Sequence, residues 1–212
     1  MKKAIIIGAS GLVGSLLTKK LLNDSYYETV TVLVRSSLNI HHPKLIELKV
    51  NFDELFKEKI EADDVYCCLG STIKKAGSKE RFRLIDYTYS LNVAKIAKKY
   101  NCNQFIIVTA MGANSNSLAF YSKVKGDLEN ALKALNFNSL LIIRPSLLLG
   151  DRKNETRTLE KVASLFMQSF SLLLPKKVRA IKADKVATAM MDLAKRNYFG
   201  FHIFESDVLQ SY

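Results

Sequence analysis

The sequence predicts an α/β fold: a doubly wound parallel sheet with helices on both faces. Three observations carry that expectation. Short β-branched runs recur along the chain and are apolar at nearly every position, as strands buried between two helical layers are. Segments of helical spacing separate several of these runs, the alternation expected of parallel sheets. The first run, KAIIIG, breaks on Gly8 and leads through Gly11 and Gly14 into the amphipathic GLVGSLLTKKLL.

The elements follow in order. After KAIIIG the strand runs are TVTVLVR, KLIELKV, DVYCCLG, QFIIVTA and NSLLIIRPSLLLG. The last is cut at Arg144-Pro145, because proline cannot continue the ladder of a central strand. Beyond Gly150 the alternation weakens into a charged turn, two helical patterns and the short apolar FGFHIF. Residues 1–212 therefore read as a single domain, with roughly 151–212 as a small lobe at the carboxyl ends of the strands. Phe166, Met167, Phe170 and Leu172 to Leu174 would give that lobe an apolar, cap-like cover. Their segment, VASLFMQSFSLLLP, is too short for a bilayer and carries Gln168, so it reads as a buried helix. Asp184, opening ADKVATAMMDLAKR, reads as a helix N-cap.

Composition narrows the function classes. Hydrophobic residues make up 48% of the chain, enough for a real core, and no charged-then-apolar leader or membrane span is evident. Cys67, Cys68 and Cys102 have neither a disulfide framework nor metal-ligand spacing, which points to the reducing cytoplasm and to no metal site. The net charge of +12 raises nucleic-acid binding. Its lysines instead fall in pairs along helix faces (Lys19-Lys20, Lys98-Lys99, Lys176-Lys177) without interleaved aromatics. A solvated surface is the expectation, with no nucleic-acid partner.

The three glycines suit a dinucleotide. Gly8 stands where strand turns abruptly into helix, a place for positive φ. Gly11 lets backbone approach a ligand at the helix amino terminus, and Gly14 lets helix pack on strand. Unpaired N–H groups and the helix dipole favour a pyrophosphate there, and Ser10 can add a donor. The second strand run ends on Arg35, where an NAD site usually carries a carboxylate. A guanidinium can bind a ribose 2′-phosphate in a bidentate way, so NADPH is expected over NADH.

A proton donor is also in place. Tyr121 and Lys125 lie four apart on a predicted helix, and Tyr121 is the only one of nine tyrosines with lysine at that spacing. Hydride transfer to a carbonyl leaves an oxygen that needs a proton. An adjacent ammonium makes a phenol a better donor. Thr109, at the end of the fifth strand run, can place a hydroxyl on the same oxygen. Lys74 and Lys75 lie in the loop after the fourth run, where they either draw in an anion or merely solvate the loop. Asp86 and Asn92, on the next helix, read as capping or interhelical residues before anything catalytic.

Glycine loop, Tyr-x-x-x-Lys and Arg-Pro, in this order, resemble the short-chain dehydrogenase/reductase superfamily, of the extended or atypical kind. GASGLVG, VLVR, VYCCLGST with KKAG behind it, YSKVKGDLE and RPSLLLGDR resemble its Tat-interacting-protein-like branch. The resemblance implies a Rossmann fold that binds NADPH. Gly8, Ser10, Gly11, Leu12 and Val13 correspond to the pyrophosphate loop and Arg35 to the 2′-phosphate ligand. Cys68, Leu69 and Gly70 fall where the fourth strand lines the cofactor, Lys125 would also bind the nicotinamide ribose, and Pro145 would border the nicotinamide. Where the family carries two adjacent hydroxyl residues, the sequence reads VTAMG; Thr109 stands for the first, Ala110 replaces the second, and Ser115 or Ser117 could substitute.

The expected function is a cytoplasmic, NADPH-dependent oxidoreductase that reduces a small carbonyl substrate, with Tyr121 as acid, Lys125 as its tuner and Thr109 as polariser. The alternative is an NADPH-binding regulatory or scaffold protein with little turnover and a protein partner. That branch's association with protein partners and the loss at Ala110 both favour it.

Overall fold

The structure, a computed structural model, describes residues 1–57, 61–150, 175 and 177–212. The β-branched run at the start forms β1 (Lys2–Ile7), and the glycine turn leads into α1 (Leu12–Leu22). There follow β2 (Tyr27–Val34), β3 (Leu45–Lys49), a 3₁₀ turn (Phe52–Lys57) and β4 (Asp64–Cys67). The short α2 (Ile73–Ala76) and α3 (Lys79–Arg83) run through a π-helical turn (Leu84–Tyr89) into α4 (Ser90–Lys99). Then come β5 (Gln104–Val108), α5 (Phe120–Lys133) and β6 (Ser139–Arg144). The chain continues through β7 (Leu148–Leu149), β8 (Ile181–Lys182), α6 (Ala183–Lys195), β9 (Gly200–Glu205) and α7 (Ser206–Leu209).

Seven strands form one sheet in the order β3-β2-β1-β4-β5-β6-β9, every pairing parallel. This is the doubly wound fold expected, with the order reversing between β1 and β4. Side chains alternate across the sheet, and that alternation makes two cores. Ala4 and Ile6 of β1 face Leu17 and Leu21 of α1 and Val186 and Met190 of α6. Ile5 and Ile7 face the opposite layer, where Val93 and Ala97 of α4 and Leu128 and Leu132 of α5 pack with Phe105 and Ile107. Each leucine or isoleucine so buried contributes about 1.5–3 kcal/mol of transfer free energy.

β6 does end at Arg144-Pro145, as the proline required. The expected lobe is corrected in its second half. FGFHIF is β9, paired with β6 over Ser139↔Gly200 to Arg144↔Glu205, and so completes the main sheet. The helix before it belongs to the core packed against α1, because Ala187, Met190 and Leu193 are apolar at helical spacing and fully or almost fully buried. Asp184 is a first-turn residue of α6 rather than its cap; Lys182 holds that position, and the Asp184 carboxylate pairs with Lys20 at 2.9 Å. The cap-like cover expected from Phe166, Met167, Phe170 and Leu172 to Leu174, with the helix containing them, lies outside the described residues.

Candidate dinucleotide site

The site forms at the carboxyl ends of the strands, beside the reversal of strand order, where open parallel sheets bind ligands. Gly8 adopts φ +84°, and a Cβ there would stand 2.6 Å from the Cys68 carbonyl carbon. The residue must be glycine on both counts, because the turn and the close approach of β4 coincide. A Cβ at Gly14 would collide with the Gly8 carbonyl, so its hydrogen is what lets α1 rise directly off β1. Gly11 donates to Gly8 O at 2.9 Å and caps α1 without a side chain, leaving the first-turn amides of Leu12 and Val13 to an external acceptor. Ser10 and Gly11 are exposed, Val13 is buried, and Leu12 is half-buried. An exposed, uncapped helix amino terminus after a tight glycine turn fits a pyrophosphate.

Two neighbouring strand ends frame this loop. Arg35 projects, exposed, from the end of β2, and Ser37 beside it donates to Glu47 at 2.6 Å. Behind them Tyr89 donates to Asp53 Oδ1 at 2.5 Å and lies against Phe52. Cys68 donates its amide to Ile7 O at 2.8 Å, which holds Cys68, Leu69 and Gly70 alongside the glycine loop. Burial pushes the Cys67 and Cys68 thiols up.

The catalytic candidates sit on α5. Tyr121, in its first turn, is half-buried with its ring 5.4 Å from that of Phe82. Lys125 is buried one turn on, and its Nζ lies 2.7 Å from Asp86 Oδ1. Burial works to lower the lysine, but the Asp86 carboxylate, then Tyr121, hold it above its ordinary value. For Asp86 burial dominates and raises the carboxyl, against the opposing pull of Lys125 and of the Ser71 amide, which donates to Oδ2 at 2.9 Å. A Cβ on Gly70 would lie 3.6 Å from Asp86 Oδ1 and 3.9 Å from Lys125 Nζ, so the pair sits directly beneath that backbone.

Thr109 has a partner that the sequence did not show. Its hydroxyl is buried and donates to Glu129 Oε1 at 2.6 Å. Glu129 also takes Arg144 through two nitrogens, and Arg144 reaches on to Glu205 at 3.3 Å. A carboxylate only accepts, so in this structure the Thr109 proton is directed to Glu129. Of the substitutes, Ser115 accepts from Asn130 at 3.0 Å and Ser117 accepts the Ala119 amide at 3.1 Å, bonds that leave each hydroxyl its own proton to donate. Gly126 explains their position, since a Cβ there would collide with the Asn114–Ser115 backbone.

Pro145 is buried beside the site, and its carbonyl accepts the Met111 amide at 2.9 Å. The chain then returns over the glycine loop, bringing Gly150 so near Leu12 that a Cβ would stand 2.8 Å from its Cδ1. Lys74 and Lys75 are exposed on α2, whose amino end Thr72 caps by accepting the Lys75 amide. Sequence reasoning allowed Asp86 an interhelical bond without naming Lys125 as its partner, and missed the whole role of Glu129. The signal available was spacing: Tyr121, Lys125 and Glu129 recur every four residues, a polar stripe on a face otherwise apolar.

Comparison with known proteins agrees with this geometry. A family model described as NAD(P)H-binding matches residues 8–196. Protein FMP52, mitochondrial, from Candida albicans is 37% identical over 155 residues, covering 70% of this chain and 68% of that protein. Protein HTATIP2 from Rattus norvegicus is 34% identical over 174 residues, covering 79% and 71%. Among solved structures, the Bordetella bronchiseptica enzyme WbmH in complex with NAD+ superposes with a TM-score of 0.71 at 18% identity, over 97% of this chain and 76% of that one. A UDP-N-acetylglucosamine 4-epimerase from Methanobrevibacter ruminantium M1 gives 0.72 at 19% identity, over 96% and 76%. These two show the fold alone. Family match and sequence relatives together make the chain a member of the NAD(P)H-binding family, related to HTATIP2 and FMP52, and its glycine loop and strand order agree with that.

Proposed function

We propose that the protein is an NADPH-dependent oxidoreductase that reduces a small carbonyl compound, with Tyr121 as the proton donor. The observation that carries the reading is that the glycine loop, the exposed Arg35 and the Tyr121–Lys125 face of α5 all belong to the carboxyl-end side of one sheet. NADPH, when bound, supplies the hydride. Gly8, Ser10, Gly11, Leu12 and Val13 would hold its pyrophosphate and Arg35 its 2′-phosphate. Cys68, Leu69, Gly70 and Pro145 would wall the site, and Lys125 would also bind the nicotinamide ribose. As the carbonyl is reduced, Tyr121 would give its proton to the carbonyl oxygen, and solvent would reprotonate the phenolate. General acid catalysis of this kind contributes about 10²–10⁴ in rate. Three cysteines that remain thiols suit a cytoplasmic site of action, although the FMP52 relatives are named mitochondrial.

A second reading keeps the cofactor and drops the turnover, with NADPH as a structural or sensing ligand and a protein as partner. Two observations favour it: Thr109 is committed to Glu129, and the Lys125 charge is already met by Asp86. Single-turnover measurement of NADPH oxidation across a carbonyl panel separates the readings. Turnover that Tyr121→Phe lowers by about 10²-fold or more supports the reductase. Full activity in that variant overturns the mechanism, and NADPH binding without oxidation on any carbonyl favours the sensor. On the membrane, no helix among the described residues is long and apolar enough to cross one.

A further inference from the structure

Two arginines at the β2 end of the candidate site carry charges that the protein itself does not answer. The end of β2, the turn after β3 and the helix after β4 meet there. Val50 donates its amide to Val34 O at 2.9 Å, so the 3₁₀ turn that begins at Phe52 runs beside Arg35. Tyr89 closes the corner from the other side, with its hydroxyl on Asp53 Oδ1 at 2.5 Å and its ring 5.7 Å from that of Phe52. Arg81 stands eight residues before Tyr89 on one unbroken run of helix, through α3 and the π-helical turn. Eight residues of regular α-helix overshoot two turns by about 80°. The wide π turn takes up about one residue of that excess and so sets Arg81 above Tyr89 on one face. Burial and the bond to Asp53 hold the Tyr89 phenol above its ordinary value, and Arg81 and then Arg35 pull against them. Both guanidiniums therefore lie close to this one hydroxyl.

We propose that Arg81 is a second ligand of the cofactor's ribose 2′-phosphate, reaching from α3 to the group that Arg35 meets from β2, so that the two together set the preference for NADPH over NADH. The inference rests on the reading of Arg35 as the 2′-phosphate ligand. A phosphate monoester carries close to two negative charges and three acceptor oxygens. One planar guanidinium engages two of those oxygens, which leaves the third and the remaining charge to a second cation. Both side chains are exposed, and among the described residues neither is in an ion pair. Other arginines nearby are already met: Arg83, two residues on, by Asp127 at 3.0 Å, and Arg144 by Glu129. Asp53, the carboxylate at this corner, gives Oδ1 to Tyr89 instead. Two like charges held near each other and left unmet destabilise the free protein slightly, and a dianion between them relieves that repulsion.

The test is a calorimetric titration of the whole chain with adenosine 2′,5′-bisphosphate and with AMP, two probes that differ only in the 2′-phosphate. The wild type should bind the bisphosphate more tightly. Arg81→Ala should lose about 10-fold or more in affinity for the bisphosphate and keep its affinity for AMP, which also shows that the variant is folded. Arg81→Lys, which keeps the charge and loses the fork, should fall between the two. Combining Arg35→Ala with Arg81→Ala should leave a protein that binds both probes alike. Equal losses for bisphosphate and AMP in Arg81→Ala would put the side chain against the adenine or the 5′-phosphate and overturn the proposal. So would an Arg81→Ala protein that discriminates as the wild type does while Arg35→Ala does not; Arg35 would then stand as the 2′-phosphate ligand by itself. The reverse result, discrimination lost in Arg81→Ala and kept in Arg35→Ala, would remove the reading of Arg35 and leave Arg81 in place. None of these outcomes depends on turnover.

Discussion

The two ends of the parallel sheet both gather polar groups, yet they are organised in opposite ways. At the amino ends, Asp64 opens β4 and accepts from Tyr27 at 2.6 Å and Gln104 at 3.1 Å, with Lys2 3.5 Å away. Tyr66 closes on Tyr27 at 2.7 Å, and Gln104 also donates to Ala194 O at 2.7 Å. Each group answers another group of the protein, and the Asp64 side chain is wholly shut from solvent. At the carboxyl ends, Ser10, Gly11, Arg35 and Gly70 are exposed and α1 begins without a side-chain cap. A closed cluster ties strands together; an open set of donors leaves room for a ligand. Polarity alone does not mark a site, but unspent hydrogen-bonding capacity at strand ends does.

The contrast can be broken experimentally, beginning where the effect is largest. Asp64→Ala leaves Tyr27, Gln104 and Lys2 without their acceptor and should cost about 3–5 kcal/mol. Urea unfolding will read that loss, while NADPH affinity, measured at a temperature where the variant is folded, should be unchanged. Gly14→Ala does the reverse. Its methyl group forces α1 off β1 at a cost of about 1–3 kcal/mol, and the expected result is a calorimetric titration with little or no NADPH binding. Were Gly14→Ala to bind as the wild type does, the glycine turn would not be the pyrophosphate site.

Smaller effects sharpen the same comparison. Arg35→Ala should lose about 10–100-fold in affinity for NADPH, the value of a charge-assisted hydrogen bond, and almost none for NADH. Equal losses for both would assign Arg35 to general electrostatics. Last, Asp24, at the amino end of β2, accepts the Tyr26 amide at 2.8 Å and pairs with Lys195. Burial alone would raise its carboxyl, but Lys195, the Tyr26 amide and Lys44 hold it below its ordinary value. A lowered folded value means stabilisation that is fully present above the unfolded value of about 3.9 and lost as pH falls through the folded one. Asp24→Asn should therefore cost about 1–2 kcal/mol at neutral pH, and the gap between the two unfolding curves should close with acidification below about pH 4. A gap that persisted at the lowest pH would show that the side chain acts through packing and not charge.

Much of this arrangement was legible before any tertiary contact was known. Gly8, Gly11 and Gly14 announced the turn because their demands are local: a positive φ, and a helix rising within six residues of its strand. Arg35 and the Tyr121–Lys125 pair were legible because each lies at the end or on one face of a single element. What stayed hidden was every partner that the fold brings from elsewhere. Thr109 looked like a free hydroxyl, and only the packing of α5 on β6 delivers Glu129 to it from 20 residues away. Asp86 read only as a capping or interhelical residue, its partner unnamed, because Lys125, 39 residues on, is invisible to helical spacing. β9 read as part of a lobe because six residues of FGFHIF carry no mark of which sheet edge they will join.

The sequence by itself determined the strand runs, the glycine turn, the basic end of β2 and the polar stripe of α5, since period and φ requirement act over a few residues. Only the tertiary structure decided which of those polar groups are spent and which are open. That division is a matter of solvent and partner. A buried carboxylate such as Glu129 cannot stand alone, so the fold assigns it donors, Arg144 and the Thr109 hydroxyl, and the tertiary structure alone decides which these are.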